Sequence, residues 1–309
     1  MKIYHTLESF EPLPNAVVTS GTFDGVHQGH RKILSRLTEV AAQQQGETVV
    51  LTFWPHPRMV VSEDSHGLQL LSTIEEKIEL FRDLKIDHLI ISPFTRAFSE
   101  LSPAEFIQQV LVDKIGTKRF VIGYDHRFGR NRAGSFDFLK KVAPDYGFEV
   151  EEIPRQDIDA LAISSTRIRK ALLAGDVKEA SDLLGRPYQF SGVVVKGKQL
   201  GRTLGYPTAN IEVKENYKLI PENGVYAVKV KHKETVLNGM LNIGVRPTVD
   251  GTNRSIEVNL FDFDQDVYGE RLTVALVAYL RPEMKFSSLD ELVAQIEKDE
   301  EQAAHALKS

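Results

Sequence analysis

The stretch SGTFDGVHQGH, residues 20–30, decides the fold of the first part of the chain. The apolar residues 16–19 before it predict a buried strand, and residues 29–44 predict a helix. Its glycines let the backbone approach a ligand closely. Because a helix N-terminus points free N–H groups and a positive dipole end at the turn before it, we expect a phosphate site here.

Strands and helices alternate through the rest of this part. Further strands are predicted at 48–54, 87–92, 118–123 and 148–153, and further helices at 73–84, 102–114, 135–146 and 164–174. Thr73 is a good helix N-cap, and Ser102 with Pro103 forms a good cap and first-turn pair. This alternation predicts a Rossmann-like α/β domain with a parallel sheet covered on both faces.

The pattern changes after about residue 184, where Gly185, Arg186 and Pro187 interrupt it. Strands without intervening helices are then predicted at 188–196, 224–232, 236–243, 255–262 and 272–280, followed by a helix at 288–306. This order is typical of a small antiparallel β-barrel with a C-terminal helix. We therefore predict two domains, residues 1–185 and residues 186–309.

Composition narrows the class of protein. The 309 residues carry a net charge of -5 and include no cysteine, which excludes disulfides, thiolate nucleophiles and Cys-ligated zinc. The negative charge disfavours a nucleic-acid-binding protein. Since the sequence has no signal-peptide core and no apolar run near the ~20 residues of a membrane span, we expect no membrane partner and a cytoplasmic location. The oligomeric state stays open.

Two polar clusters in the first part suggest chemistry. His27 and His30 could both face a triphosphate, although two histidines at this spacing could also be a metal pair and the glycines a plain turn. The stretch ISSTRIR, residues 163–169, offers hydroxyls and arginines at the start of a helix. The hydroxyls could merely cap that helix, or they could bind phosphate together with the arginines.

Several motifs together resemble known families. HQGH (27–30) with ISSTRIR (163–169) resembles the HxGH nucleotidyltransferase superfamily, and FWPHP (53–57) with GYDHRFG (123–129) resembles its FAD synthetase branch. GRTLGYPTAN (201–210) resembles the riboflavin kinase signature. Nearly the whole chain thus resembles the bacterial bifunctional riboflavin kinase/FMN adenylyltransferases. The resemblance implies two ATP-dependent reactions, riboflavin to FMN in the second domain and FMN to FAD in the first.

The resemblance implies roles in the nucleotidyltransferase domain. His27 and His30 would contact the phosphates of ATP and stabilise the transition state, with Arg169 as a third catalytic residue. No covalent intermediate would form, so positioning and charge neutralisation would supply the catalysis. The remaining expected contacts to ATP or FMN are Gly21, Thr22, Phe23, Asp24, Gly29, Asp125, Ser164, Ser165 and Thr166.

In the kinase domain, Glu257 matches the catalytic base of the family. It lies between Ile256 and Val258 on a predicted strand, so it should face away from both, although it could instead be an exposed carboxylate of that strand. Thr208 and Asn210 offer oxygen atoms suited to Mg²⁺. The expected nucleotide or flavin contacts are Gly201, Arg202, Gly205, Pro207, Thr208, Asn210 and Arg281, whereas Asp262, Asp264 and Asp266 are expected to form a turn.

Three other interpretations compete with a bifunctional enzyme. The chain could keep only one of the two activities, it could be a nucleotide- or flavin-binding regulator with silent sites, or it could adenylylate a different acceptor. Intact histidines at 27 and 30 and an intact Glu257 disfavour the silent regulator, because binding alone needs no catalytic base. The interpretation that the chain adenylylates a different acceptor is disfavoured as well, because the product of the kinase domain would be the substrate of the other domain.

Overall fold

The structure is a computed structural model, and it describes residues 1–62, 67–153, 163–197, 201, 204–248 and 251–308. It divides the chain into two compact units, Met1–Ser165 and Thr166–Ser309. The helices between residues 166 and 184 belong by compactness to the second unit. The functional border after residue 185 stays a prediction.

The first unit is built on a six-stranded parallel sheet. Its strands are β1 Lys2–Tyr4, β2 Ala16–Ser20, β3 Glu47–Trp54, β4 His88–Pro93, β5 Thr117–Gly123 and β6 Glu149–Ile153. They lie in the order β1-β4-β3-β2-β5-β6, and all the pairings are parallel. The predicted parallel sheet is confirmed, with β1 as an additional edge strand.

Helices connect these strands. They are α1 Gln28–Gln43, α2 Pro57–Val61, α3 Ile74–Asp83, α4 Arg96–Ser99, α5 Pro103–Glu105 and α6 Phe136–Val142. A π-helix, Phe106–Ile115, continues α5. Thr73 begins α3 as predicted: its hydroxyl accepts the N–H of Glu76, whose carboxylate accepts the N–H of Thr73 in return.

Strand β2 lies in the middle of this sheet, and all five of its residues are buried. Val17 packs with Leu37 and Phe81 in one hydrophobic cluster, whereas Val18 packs with Ile107 in another. Because neighbouring residues of a strand point to opposite faces, these two clusters are the two helical layers over the sheet. The strand order reverses between β2 and β5, and such a switch point is where ligands bind at the carboxyl ends of parallel strands.

The second unit begins with two helices and continues as a closed barrel. Its helices are α7 Ser165–Leu173 and α8 Val177–Leu184, and its strands are β7 Gln189–Val195, β8 Ala209–Glu212, β9 Gly224–His232, β10 Thr235–Thr248, β11 Gly251–Leu260 and β12 Arg271–Arg281. The barrel order is β10-β11-β8-β7-β12-β9, and pairing of β9 with β10 closes it. All the pairings are antiparallel, as predicted.

A C-terminal helix, α9 Leu289–Lys308, packs on the barrel. Its Ala303 and Leu307 share a hydrophobic cluster with Ala227 and Met240 of the barrel. A second contact is polar: Arg281 at the end of β12 donates from Nε and Nη2 to the two carboxylate oxygens of Asp299, over 2.8 and 2.7 Å. Asp299 is only 2% exposed and the side chain of Arg281 is 16% exposed, so this ion pair is largely buried.

Replacing Asp299 with alanine should strongly destabilise the second unit, because Arg281 would keep a buried charge without its partner. Loss of one member of a buried ion pair costs about 3–5 kcal/mol. The matched control is Asp182→Ala, which breaks an exposed pair with Lys178 and should cost less than about 1 kcal/mol. Urea unfolding followed by circular dichroism measures both, and equal effects of the two changes would contradict the prediction.

Candidate functional site

The loop between β2 and α1 has a backbone conformation that is costly for its residues. Phe23 and Val26 have φ angles of 48° and 40°, and Gly25 has 80°. Left-handed conformations are rare for residues other than glycine, and β-branched valine is especially strained there. The carbonyl of Thr22 accepts a hydrogen bond of 2.7 Å from Nζ of the buried Lys77. Surrounding structure therefore holds the loop in its conformation.

Asp24, predicted to contact the ligand, makes structural contacts in this loop. It is 2% exposed, and its Oδ1 accepts the N–H groups of Leu71 at 2.9 Å and Ser72 at 3.2 Å. The hydroxyl of Ser72 in turn accepts the N–H of Gly25 at 3.1 Å. The hydroxyl of Ser165 donates to the carbonyl of Asp24 at 3.0 Å. The two polar clusters predicted from the sequence thus meet through Ser165.

His27 and His30 lie at the start of α1. His27 is the N-cap, and its Nδ1 accepts the N–H of His30 at 3.4 Å. The two rings stack with their centroids 3.6 Å apart and their planes 15° from parallel, and the edge of Phe23 packs on His30. Within the described part of the chain, Nδ1 of His30 has no hydrogen-bond partner. It is a buried polar atom whose bonding capacity no described group satisfies.

Both the burial and the charges of the site keep His30 neutral. Burial, and after it the positive charges of His27 and Lys77, hold the pKa of His30 well below its usual range. A neutral imidazole can donate one hydrogen bond and accept another. Among the residues that the structure describes, no three His, Asp or Glu side chains cluster to hold a metal ion. The start of α1, where both rings lie, offers N–H groups to an anion and so suits the phosphate interpretation of the histidine pair.

The other predicted residues of the two polar clusters lie after β2, in α1 and at the start of α7. The N–H of Gly21 donates to the carbonyl of Leu51 at 3.0 Å, and Gly29 is buried in the first turn of α1. Ser164 is exposed at the end of the first unit. Thr166 is exposed and Arg169 is half-buried in the first turns of α7, which the compactness of the chain assigns to the second unit.

The loop after β5 contains a residue that the sequence analysis missed. Asp125 is exposed there, but Nε2 of the neighbouring His126 lies 3.4 Å from the hydroxyl of Ser20, at the carboxyl end of β2. The His126 ring stacks on Phe128 and meets the edge of Phe120. Burial, together with the positive charges of nearby arginines, lowers the pKa of His126 to about 4. A neutral histidine thus ties this loop to the strand that leads into the histidine pair.

The barrel brings three of the predicted kinase residues together. Asn210 on β8 lies directly opposite Glu257 on β11, and the hydroxyl of Thr208 donates to Oε2 of Glu257 at 3.2 Å. Directly opposed residues of an antiparallel pair point to the same face. Asn242 on β10 opposes Glu257 from the other side and extends this polar row, which the sequence analysis did not foresee. Glu257 is half-buried between the buried Ile256 and Val258, as the predicted alternation requires.

The remaining predicted kinase residues make contacts outside this row. The carbonyl of Gly201 accepts the N–H groups of Leu204 and Tyr206, and Gly205 has a φ of 85°. The carbonyl of Pro207 accepts a hydrogen bond of 2.7 Å from Nδ2 of Asn259. Arg202 lies outside the described residues. Arg281, predicted to contact flavin, is held by Asp299 as described above.

A cavity of about 450 Å³ opens beside Thr208. Its wall is partly apolar, with Val194, Val258 and Leu260, and partly acidic. The acidic lining comes from Asp264 and Asp266. Asp266 does form a turn, since its Oδ1 accepts the N–H of Tyr268 at 2.9 Å, but the two aspartates also line this cavity. Their spacing in the sequence indicated only the turn.

Comparisons with known proteins give a family for each part of the chain. The family model for FAD synthetase matches residues 10–167, and the model for riboflavin kinase matches residues 184–307. A bifunctional riboflavin kinase/FMN adenylyltransferase of Listeria monocytogenes is 41% identical over 93% of this chain and 91% of its own length. The protein of the same description from Haemophilus influenzae is 40% identical over 94% of each chain.

A solved structure is also similar over nearly the whole chain. It is described as a macrolide-efflux protein from Streptococcus pneumoniae, covers 98% of both chains at 33% identity, and has a TM-score of 0.88. That description concerns the Streptococcus pneumoniae protein. In the part of our chain that the structure describes, no helix has the length and apolar character needed to cross a bilayer.

Replacing His126 with phenylalanine should reduce the loss of stability in mild acid. Between about pH 6.5 and pH 4 the unfolded chain binds a proton at His126, whereas the folded chain does not. The free energy of unfolding therefore decreases as the pH is lowered through this window. Between pH 7 and pH 5 the wild type should lose about 2 kcal/mol more than His126→Phe. Urea unfolding followed by the fluorescence of Trp54, the single tryptophan, reports on the first unit.

His5 supplies the matched control for this experiment, because it is exposed in the same unit. His5→Gln should keep the wild-type dependence of stability on pH. If His126→Phe also kept the wild-type dependence of stability on pH, His126 would not titrate as described.

Proposed function

The chain belongs to the bifunctional riboflavin kinase/FMN adenylyltransferase family, and from that premise we propose which of its residues carry out the two reactions. The enzyme uses ATP to phosphorylate riboflavin and to adenylylate FMN, and so makes flavin cofactors. We assign the kinase to residues 186–309 and the adenylyltransferase to residues 1–185. The assignment of the kinase site rests on one observation. Thr208 contacts Glu257, which lies on the same face as Asn210.

Glu257 acts as the base of the kinase. Its carboxylate accepts the proton of the terminal hydroxyl of riboflavin while that oxygen attacks the γ-phosphorus of ATP and ADP leaves. The hydrogen bond from Thr208 orients the carboxylate, and the strand fixes its side-chain direction. The loop with Gly201, Gly205 and Pro207 precedes this site and binds the phosphates of ATP, and Arg202 adds a positive charge.

Thr208 and Asn210 are the residues that would hold Mg²⁺. Their hydroxyl and amide oxygens are the hard donors that Mg²⁺ accepts, and this ion needs only one or two protein ligands because water and phosphate supply the rest. The donor set around Glu257 therefore fits the ion. When bound, Mg²⁺ neutralises charge on the phosphates of ATP.

Adenylyl transfer needs no enzyme nucleophile. A phosphate oxygen of FMN attacks the α-phosphorus of ATP, the bond between the α-phosphorus and the bridging oxygen breaks, and pyrophosphate leaves. His30 stays neutral, and both His27 and His30 direct ring N–H groups to the phosphates, beside the N–H groups at the start of α1.

The second motif completes the adenylyltransferase assignment. Ser164, Ser165, Thr166 and Arg169 bind the β- and γ-phosphates. The loop residues Gly21, Thr22 and Phe23 and the first-turn residue Gly29 bring the backbone close to the nucleotide, and Asp24 acts by holding the loop. Contacts of Asp125 with FMN or the nucleotide and of Arg281 with flavin, and a cytoplasmic location, remain predictions from the sequence.

Replacing Glu257 with glutamine should abolish the kinase and spare the other reaction. The amide cannot accept the hydroxyl proton, so FMN formation should fall by ~10²–10⁴-fold. FAD formation from added FMN should keep its rate. Chromatography of the flavins after incubation with ATP and Mg²⁺ measures both. The control is Glu234→Gln in the exposed turn between β9 and β10, which should change neither rate. Equal loss of both activities in Glu257→Gln would contradict separate sites.

Replacing His30 with alanine should have the reverse effect. Without the imidazole, FAD formation from FMN should fall by ~10²–10³-fold, the usual cost of one donor to a developing charge. Riboflavin phosphorylation should be unchanged. His5→Ala serves as the control in the same unit. Unimpaired FAD synthesis by His30→Ala would remove this residue from the site.

A further inference from the structure

Lys77 on α3 is a buried cation that the reactions proposed above do not use. The residue is 5% exposed, and its Nζ donates a hydrogen bond of 2.7 Å to the carbonyl of Thr22. The charged or titratable groups that interact with it come from the loop before α1 and from α1 itself. They are Asp24, and His30 with His27 stacked on it.

Burial of this ammonium group is unfavourable for the fold. Desolvation lowers the pKa of Lys77 to about 8, and the negative charge of Asp24 offsets that effect only in part. The carboxylate of Asp24 is already bonded to the backbone N–H groups of Leu71 and Ser72. An apolar side chain of similar length could fill the same space without this cost. Packing alone therefore gives no reason for a lysine at this position.

The hydrogen bond of Lys77 acts on the loop at a sensitive point. Thr22 precedes Phe23, whose φ is 48°, and its carbonyl is also 3.4 Å from the hydroxyl of Thr52. Because a peptide group is planar, fixing the carbonyl of Thr22 also fixes the direction of the N–H of Phe23. The lysine thereby sets the orientation of a backbone donor in the loop that leads to the histidine pair.

The charge of Lys77 has a second effect. It lies close enough to His30 to lower the pKa of that imidazole, together with burial and His27. This corner of the unit therefore holds a fixed positive charge while His30 stays neutral. A charge that is already in place and shielded from water stabilises a phosphate anion more strongly than the same charge in solvent.

We infer that Lys77 is a positioning residue for adenylyl transfer, which fixes the Thr22 peptide of the ATP-binding loop and supplies a buried positive charge next to the triphosphate. The inference rests on the proposed function of residues 20–30. It adds a residue that lies on a different helix from every residue assigned to the two motifs.

The test is Lys77→Met in the full-length enzyme, with Lys114→Met, an exposed lysine of the same unit, as control. For Lys77→Met we expect kcat/KM for ATP in FAD synthesis to fall about tenfold or more, while the KM for FMN changes less than about twofold. Riboflavin phosphorylation by the same protein should be unchanged. Lys114→Met should match the wild type in every assay.

Two further measurements separate positioning from a role in folding alone. Unfolding in urea, followed by Trp54, should show that Lys77→Met remains folded under the assay conditions, with some loss of stability because Asp24 and the carbonyl of Thr22 lose a partner. The pKa of His30, followed by NMR of its ring, should rise in the variant. A folded variant with wild-type kcat/KM for ATP would overturn the inference, and so would an unchanged pKa of His30.

A second variant decides the outcome if Lys77→Met fails to fold. Lys77→Gln keeps a donor for the Thr22 carbonyl but has no charge, so a folded but slow enzyme supports the inference and a folded, fully active one overturns it. Unfolding of both variants overturns it as well, since Lys77 would then be needed for the fold itself. Failure of the proposed function would be visible separately, as full FAD synthesis by His30→Ala.

Discussion

The hydrogen bonds that Asp24 accepts from the backbone of Leu71 and Ser72 are the contacts on which the first site depends. They hold a loop in which phenylalanine and valine adopt left-handed conformations, and such a loop persists only where its surroundings enforce it. The loop ends at His27, which caps α1 and stacks on His30. A carboxylate with structural contacts thus determines where a histidine pair and a helix N-terminus meet the ligand.

In the barrel, the register of the strands brings the residues of the second site together. Asn210, Glu257 and Asn242 come from three neighbouring strands and form one polar row because each is directly opposite the next. A shift of one residue in either pairing would move Glu257 to the face of Ile256 and Val258. Closure of the barrel restricts such a shift, since every strand is paired on both sides. The first site is therefore held by buried polar contacts and the second by backbone pairing.

The sequence predicted much of this structure, and the misses have physical reasons. Capping residues and apolar runs are local signals, so the start of α3 at Thr73 and the central strands agree with the prediction. Strand β1 has only three residues and gains its place from pairing with β4, which no local pattern indicates.

Some residues of the sites could not be predicted for the same reason: their roles depend on parts of the chain that are distant in sequence. Lys77 and His126 resemble ordinary surface residues in the sequence, and their character comes from burial by distant segments. Asp264 and Asp266 show turn chemistry locally but line a cavity only once the barrel has formed. The predicted motif residues could be recognised because their chemistry is carried by short stretches, whereas the residues that support them are assembled from separate elements.

The two edge strands of the parallel sheet affect whether copies of the protein aggregate in a crowded solution. An unpaired strand edge can recruit a strand from another molecule and start aggregation, a risk that a closed barrel avoids. At one end of the sheet β1 is too short to offer a long template. At the other end β6 carries Glu149, Glu151 and Glu152 within five residues. Arg119 and Arg36 pair with the first two, and such a row of charged side chains on an edge strand disfavours pairing with another copy.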